Sequence, residues 1–351
     1  MNIHNKTLVT VFVAIIMALI VITITNGPII NSALSLSSHQ GKLETGITSG
    51  TNAASNSSRS SLTATNPDPS SSTSPRVGVV GSNTKLVNNK VVVLSFDDNR
   101  IGDFTYAKPI LDKYGYKATF FVICGKTTDS GAMNWQDIAA MQKDGMDIES
   151  HTMTHAHLNN LTQSQLNFEI GGSKQCLATH GYNATIFAYP YNEGSNNPVV
   201  VNTVAKYYDM ARSGTDPLMF LNCKGFTKHP QTDCRTYTAN GKLTYANRYA
   251  IRSLSFDILE IKDSFDNATM FSNFTKIVNS QNSFNQGGKI NAVPLITFHN
   301  VALTTNKPYY TNAGMFDKFM KYLHDNGFKV LTFKQIGYDT KTNTFYLNGI
   351  S

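Results

Sequence analysis

Hydrophobic and polar positions divide the chain into three parts. Residues 7–25, TLVTVFVAIIMALIVITIT, are nineteen residues without a charge, and Lys6 comes directly before them. From about residue 26 to 84 Ser, Thr, Asn, Gly and Ala dominate, and the apolar residues show no period. From residue 85 short apolar runs alternate with amphipathic stretches. We therefore predict an N-terminal segment (1–25), a linker (26–84) and a folded domain (85–351).

The N-terminal part predicts export. Nineteen apolar residues are long enough to span a bilayer as a helix, and the basic residue before them favours an N-terminus on the inside. A cleaved signal peptide is the alternative, although no clear Ala-x-Ala site follows the apolar stretch. The linker is too poor in apolar residues to fold, which predicts a disordered stalk. We expect a single-pass membrane protein whose folded domain faces outside, or a secreted protein if the segment is cleaved.

The third part alternates between strand-like and helix-like patterns. The predicted strands are KVVVLSF, YKATFFVI, MDIES, NATIFAYP, AVPLITF and FKVLTF. The predicted helices lie between them, and three of these end at glycines suited to helix termination, Gly115, Gly145 and Gly327. Alternation of this kind predicts parallel strands with helical crossovers, which fits either an open doubly wound sheet or a barrel.

Chemically active side chains follow the predicted strands where each strand ends. Parallel α/β sheets and barrels build their sites at this carboxyl edge. By strand, these residues are Asp97 and Asp98; His151 and His155; Tyr189, Pro190 and Tyr191; and His299.

Each of these groups also has a structural interpretation. Asp97 and Asp98 suit a turn or helix cap, and a lone His299 at a strand end is more often structural. Taken together they predict a divalent-metal site, because one carboxylate with two imidazoles leaves positions open for water and substrate. Asp98, His151 and His155 are the predicted ligands. Asp97 is then placed to act as base and His299 as acid.

Charge and cysteine content narrow the class of protein. The net charge is +7, but the 30 Lys and Arg residues are scattered, so we predict no nucleic-acid partner. Four cysteines permit disulfides in an exported domain; their connectivity cannot be read from sequence, and Cys223 with Cys234 is the first pairing we expect. Export also allows glycosylation at five sequons, Asn56, Asn160, Asn183, Asn267 and Asn273.

Four motifs, SFDD, SHTMTH, FAYPY and LITFHN, occur in this order and together resemble the NodB-homology polysaccharide deacetylases of carbohydrate esterase family 4. The resemblance covers about residues 91–337 and is weak between about 215 and 263. It implies a deformed (β/α) barrel, often of seven strands, and metal-dependent removal of acetyl groups from N-acetylated sugars. The metal in this family is most often zinc, and cobalt or nickel also occur.

The resemblance also implies a role for each matching position. Asp97 matches the catalytic base and His299 the general acid. Asp98, His151 and His155 match the metal ligands. Tyr191, after Tyr189 and Pro190 in the same motif, matches the residue whose backbone N–H stabilises the oxyanion.

The sequence departs from the family pattern at several positions. Many members have an Arg two residues before the Pro of the third motif, where this chain has Ala188, and Arg212 is a hypothetical replacement. The Asp–Trp motif that tunes the acid histidine has no clear match, since the one tryptophan is Trp135. Asn99 and Asn192 stand where glycines are usual. The aromatic-rich residues 215–256 are either a surface excursion or a substrate-binding loop.

We therefore expect a membrane-anchored, outward-facing, metal-dependent deacetylase acting on an N-acetylated glycan of the cell envelope or its surroundings. An amidase or O-deacetylase using the same site is one alternative. The other is a catalytically impaired carbohydrate-binding or adhesion domain, suggested by the missing Arg and Asp–Trp residues.

Overall fold

The computed structural model describes residues 89–214, 216–221, 248–257, 266–304, 308–342 and 344–350. The predicted N-terminal segment and linker lie outside these ranges, and so do Cys223 and Cys234. Within the described ranges no helix combines the length and apolar character needed to cross a membrane.

A curled, mainly parallel sheet forms the centre of the domain. Seven parallel strands follow one another in the order β5-β4-β3-β2-β1-β8-β7, without the reversal of a doubly wound sheet. Two more strands complete it, β11 parallel to β1 and β6 antiparallel to β8. The strands of this sheet are β1 Val91–Phe96, β2 Thr119–Val122, β3 Asp147–Ser150, β4 Ile186–Ala188, β5 Met210–Arg212, β6 Leu218–Phe220, β7 Leu254–Ser255, β8 Ala292–Phe298 and β11 Lys329–Leu331.

The two ends of the seven-strand run approach each other through the residues that precede β7. Ile251 forms a parallel bridge with Arg212 at the end of β5, and three residues later Leu254 pairs with Ile296 of β8. The resemblance implied a deformed (β/α) barrel, and in this part of the chain the structure is an α/β fold whose curled sheet includes seven parallel strands.

Helices cover the outside of the sheet. They are α1 Lys108–Lys113, α2 Trp135–Lys143, α3 Gln163–Leu166, α4 Ser173–Thr179, α5 Pro198–Val204, α6 Asn267–Asn279 and α7 Ala313–Asp325. The glycines predicted to end three helices have positive φ angles, 69° at Gly115, 86° at Gly145 and 71° at Gly327. Short pairs of strands complete the described structure, with β9 Val301–Ala302 beside β10 Thr311–Asn312, and β12 Ile336–Asp339 beside β13 Thr344–Leu347.

Alternate residues of each strand face opposite sides of the sheet. In β1, Val92, Leu94 and Phe96 belong to the cluster that packs against the helices. Val91 and Val93 belong to a second cluster inside the curl, together with Val293, Leu295 and Phe121 from neighbouring strands. The apolar interior therefore fills the lower part of the curl, and the inward rows of residues continue toward its carboxyl edge.

A disulfide joins Cys124, in the turn after β2, to Cys176 on α4. The cysteine spacing alone did not predict this pairing, and the pairing expected first, Cys223 with Cys234, lies outside the described residues.

Candidate active site

The inward rows of the parallel strands end in polar, reactive side chains. Asp97 continues the row Val91, Val93 and Ser95, and His299 continues the row Val293, Leu295 and Thr297. The same alternation brings in three more residues, His151 after β3, Arg212 at the end of β5 and Asp257 after β7. Most of these side chains meet at one cleft of about 570 Å³ at the carboxyl edge of the sheet.

Asp98, His151 and His155 form a compact cluster in this cleft. Their donor atoms all lie within 4.8 Å of one another. Asp98 Oδ1 is 3.4 Å from His155 Nε2 and 3.7 Å from His151 Nε2. His151 Nδ1 lies 2.9 Å from the carbonyl oxygen of Ala188, so the ring donates its Nδ1 proton there and presents an unprotonated Nε2 to the cluster.

Electrostatics favour the ligand forms of all three residues. Burial lowers the pKa of His151, and burial together with the neighbouring His151 lowers the pKa of His155 to about 4. Burial acts to raise the pKa of Asp98, but nearby basic groups, led by His151 and His155 and joined by His299 and Arg100, act to lower it, and the net shift is downward. Near neutral pH the cluster is therefore one carboxylate with two neutral imidazoles, the donor set of a divalent-metal site.

The orientation of Asp98 fits a metal ion as well. Its Oδ2 contacts Arg100 at 3.2 Å, while its Oδ1 is buried and accepts no hydrogen bond from the described residues. Donor atoms on one zinc ion are typically about 3–3.5 Å apart, given bonds of about 2.0–2.2 Å. The separations from Asp98 Oδ1 are at or slightly above that range, so the three residues fit such an ion.

Asp97 is held by an ion pair. Arg212, whose side chain is 1% exposed, pairs with Asp97 Oδ2, and its guanidinium lies 5.1 Å from the centre of the Phe121 ring. Asp97 Oδ1 is buried and accepts no hydrogen bond from the described residues. Arg212 therefore makes the contact that was hypothesised for it. Its side chain reaches the Asp97 carboxylate, which the short side chain of Ala188 cannot do.

His299 is held by a buried carboxylate, Asp257. Its Nδ1 lies 2.6 Å from Asp257 Oδ2, and Asp257 Oδ1 accepts a hydrogen bond of 3.0 Å from the hydroxyl of Thr311. Burial acts to lower the pKa of His299, but Asp257, with help from Asp97 and Asp98, raises it to about 9. His299 is therefore a cation near neutral pH, with Nε2–H available as a donor.

Sequence reasoning missed Asp257, although a signal for it exists. Ser253, Ser255 and Asp257 alternate with Leu254 and Phe256, so small polar residues lead up the inward side of β7 to the carboxylate. Ser253 contacts Thr297 on the neighbouring strand, which confirms that this row faces inward. Trp135 plays no comparable part, since it stacks on His180 at 3.6 Å and does not line the cleft.

The third motif forms one wall of the cleft. Tyr189 is buried, with its ring against Phe187, and Pro190 begins a single helical turn. Tyr191 lies at the lip of the cleft with 52% of its surface exposed.

Several residues of the site adopt left-handed backbone angles. The φ angle is 72° at Asp98, 72° at Thr152 and 66° at His155. Such angles are uncommon outside glycine and cluster at functional sites. Asn99 and Asn192, at 42° and 57°, explain the departures from glycine, because Asn tolerates this conformation better than other residues do.

Comparison with known proteins agrees with this geometry. Residues 84–210 match the family model described as polysaccharide deacetylase. This part of the chain is therefore similar to polysaccharide deacetylases. The matched range includes Asp97, Asp98, His151, His155 and the FAYPY motif, whereas Arg212, Asp257 and His299 lie beyond it.

Two curated relatives are similar to parts of this chain. YxkH of Bacillus subtilis (strain 168), which carries the name polysaccharide deacetylase, is 35% identical over 31% of this chain and 40% of its own length. The chitin deacetylase of Arthroderma benhamiae (strain ATCC MYA-4681 / CBS 112371) is 32% identical over 34% of this chain and 33% of its own length. The chain thus spans less than half of either relative.

Among solved structures, the Streptococcus pyogenes deacetylase PplD in complex with acetate is 25% identical to this chain, with a TM-score of 0.38. The alignment covers 49% of this chain and 67% of that one.

Proposed function

We propose that this chain is a metal-dependent hydrolase that removes N-acetyl groups from a polysaccharide. One observation carries the proposal. A ligand set of one carboxylate and two imidazoles, a carboxylate held by a buried arginine and a histidine held by a buried carboxylate all meet at one cleft. A domain that only binds a sugar would need neither the carboxylate held by arginine nor the histidine held by a carboxylate.

Asp98, His151 and His155 would hold the ion, and we propose zinc, with cobalt or nickel as alternatives. A divalent ion bound there supplies a Lewis acid that polarises a carbonyl and makes water a better nucleophile at neutral pH.

The chain's own residues then divide the proton transfers of amide hydrolysis. Asp97 Oδ1, the oxygen that Arg212 leaves free, takes a proton from the water that attacks the acetamide carbon. The backbone N–H of Tyr191 is assigned to the negative charge that develops on the carbonyl oxygen. His299 Nε2 gives a proton to the sugar nitrogen as the C–N bond breaks. The products are acetate and a free amino sugar.

Two contacts argue against the binding-domain alternative. That alternative depended on a missing Arg and a missing Asp–Trp motif. Arg212 contacts Asp97 from another strand, and Asp257 contacts His299. Amidase and O-deacetylase activities remain as outcomes of the experiment below.

Acetate release tests the proposal. We expect the zinc-loaded protein to release acetate from N-acetylglucosamine oligomers faster than from O-acetylated xylan or simple amides, and to lose activity after chelation. Asp97→Asn should lower the rate by about 10²–10⁴-fold, because it removes the base. Asp129→Asn is the matched control, since Asp129 is a carboxylate that lines the same cleft and has no assigned role.

Two results would count against the proposal. Equal rates for wild type and Asp97→Asn would refute the base assignment. Absence of acetate release from wild type, with one metal ion per chain shown by elemental analysis, would favour a binding domain.

We also propose that the catalytic domain works outside the cell, attached through residues 7–25. The uncharged N-terminal stretch and the stalk-like composition support this, and the disulfide between Cys124 and Cys176 fits an oxidising compartment. Fractionation of the native host should find the protein with membranes, with its N-terminus intact by mass spectrometry. A soluble protein that begins after residue 25 would show cleavage instead.

A further inference from the structure

The two histidines of the ligand cluster are held in place in different ways. The ring of His151 donates its Nδ1 proton to the carbonyl oxygen of Ala188, and a bond of this kind fixes the orientation of a metal-binding imidazole. In the described part of the chain no such hydrogen bond reaches the ring of His155, which packs against the ring of Tyr191 at 4.5 Å. The position of the His155 ring therefore depends on the backbone that carries it.

That backbone is the loop of residues 152–155. Thr152 at its start and His155 at its end have left-handed φ angles of 72° and 66°. The N–H of His155 donates a hydrogen bond of 2.9 Å to the hydroxyl oxygen of Thr152, which closes the turn. Backbone of this kind persists only where the surrounding structure holds it. The loop therefore needs support from neighbouring elements.

Glu169 supports the loop from one side. It lies on Asn167–Gly172, a wide π-helical turn that joins α3 to α4, and such turns are frequent at functional sites. Its Oε2 accepts the N–H of Thr154 at 2.9 Å, and its Oε1 accepts the hydroxyl of Thr154 at 2.6 Å. Its carbonyl oxygen accepts the N–H of Met153 at 3.1 Å. One residue thus makes three hydrogen bonds to the two residues that precede His155.

The carboxylate of Glu169 is committed to this loop. Glu169 is 5% exposed and does not line the cleft, and within the described residues its carboxylate bonds to Thr154 alone. Burial of a carboxylate is costly unless hydrogen bonds replace the lost water. On the opposite side the loop is supported by backbone alone, through the N–H groups of Cys124 and Gly125. Glu169 is therefore the one side chain of the described structure, outside the loop, that bonds to residues 152–154.

We infer that Glu169 is a positioning residue of the metal centre. By holding Thr154 it sets where His155 lies relative to Asp98, and it takes the place of the direct hydrogen bond that orients His151. This rests on the proposed function, because it assumes that the ligand cluster holds a divalent ion. Glu169 itself touches neither the ligand atoms nor the cleft.

Zinc affinity, measured without turnover, tests this role. Metal-free full-length protein in detergent is titrated with Zn²⁺ in competition with a chromophoric chelator. Glu169→Ala should weaken zinc binding about 10–100-fold, the usual effect of losing a group that orients a ligand. Glu169→Gln, whose side-chain amide can still bond to Thr154, should bind zinc within about 3-fold of wild type. The visible spectrum of the Co²⁺-loaded protein, which reports ligand geometry, should change in Glu169→Ala and be restored in Glu169→Gln.

A second variant covers the case in which Glu169→Ala does not fold. Thr154→Val removes only the hydroxyl that Glu169 accepts, so it should weaken zinc binding about 3–10-fold.

Asp266→Ala is the matched control. The carboxylate of Asp266 also holds one threonine, since it accepts the N–H and the hydroxyl of Thr269 at the start of α6, and it does not line the cleft. This variant should bind zinc as wild type does. The unfolding free energy of each metal-free variant is measured alongside, so that loss of stability and loss of affinity are separated.

The outcomes separate a positioning role from a structural one. If Glu169→Ala lowers the unfolding free energy but leaves zinc affinity unchanged, the positioning role is overturned. It is also overturned if Glu169→Gln binds zinc no better than Glu169→Ala. If wild type binds zinc but releases no acetate, the deacetylase proposal fails alone, and the zinc affinities of the Glu169 variants still decide this one.

Discussion

Single residues of the site could be predicted only where a motif surrounds them. Asp97, Asp98, His151, His155 and His299 lie in short patterns that the sequence shows directly, and the structure brings all five to one cleft. Their chemical roles stay predictions until variants are measured.

Arg212 and Asp257 were harder to predict, because the residue that each of them contacts lies far away along the chain. Arg212 lies 115 residues from Asp97, and Asp257 lies 42 residues from His299. No local pattern contains both partners of either pair. Arg212 was therefore reached only as a hypothesis, and Asp257 was missed.

Arg212→Ala should destabilise the protein and slow catalysis. The change leaves Asp97 as a buried carboxylate without its partner, and breaking a buried pair in this way typically costs about 3–5 kcal/mol. Urea unfolding should show a loss of that order in the free energy of unfolding, and the rate of acetate release should fall by about 10²-fold. Arg212→Lys should recover part of both.

Lys321→Ala is the control for Arg212→Ala, because Lys321 forms an exposed pair with Asp325. It should change stability by less than about 1 kcal/mol. An unchanged unfolding free energy in Arg212→Ala would contradict the importance assigned to the buried pair.

Asp257→Asn should move the alkaline limit of activity. In the proposed reaction His299 is the acid and must be protonated, and its pKa is raised to about 9. Activity of the wild type should therefore fall as pH rises through about 9. Without the carboxylate the pKa of His299 falls, so the alkaline limb of kcat/KM should shift at least one unit lower.

The same pair links stability to pH. A histidine whose folded-state pKa exceeds its unfolded value of about 6.5 stabilises the fold fully below that value, and the contribution is lost as pH rises to about 9. In metal-free wild type the unfolding free energy should fall over this range by on the order of 3 kcal/mol, and in Asp257→Asn it should stay nearly flat. Asp325→Asn, which removes an exposed carboxylate beside His324, should behave like wild type.

At the scale of elements, segments inside longer apolar or periodic runs were predictable, whereas β5, β6 and β7 were not. The strands KVVVLSF and AVPLITF and the helix at Ala313–Asp325 have enough residues to show their period. β5, β6 and β7 have three, three and two residues, too few for alternation to stand out from chance. These short strands carry Arg212 and lead to Asp257, which is a second reason why the two residues were hard to find.

At the scale of elements we predict the effect of removing the disulfide. It joins the turn after β2 to α4 across 52 residues, so its removal frees a long loop in the unfolded chain. The double variant Cys124→Ala and Cys176→Ala should lose about 2–4 kcal/mol of unfolding free energy in urea. Activity should change little, because the backbone N–H groups of Cys124 and Gly125 still bond to Thr152 and Met153.

Cys176→Ala alone is the comparison for that variant, since it breaks the same bond and leaves a buried thiol at Cys124. A loss similar to that of the double variant would assign the effect to the bond. Loss of activity without loss of stability would instead show that the bond positions the turn.

At the scale of the whole molecule, alternation of strands and helices predicted an α/β sheet but not its curvature. An open sheet and a barrel have the same alternation, and the choice between them came from the family resemblance. The curl depends on Ile251, which bonds to the end of β5 before the chain reaches β8. A long-range bridge formed by one residue leaves no periodic trace in the sequence.

The alternation of inward and outward residues has a consequence for how this protein can evolve. Deleting one residue within β1 would turn Phe96 to the inward side of the sheet and Asp97 to the outward side. The same argument holds for every strand whose inward row ends at the cleft. Amino-acid composition would hardly change, yet the active site would be lost. Gains and losses of residues should therefore persist in descendants only between strands, as in the long stretch that separates β5 from β7.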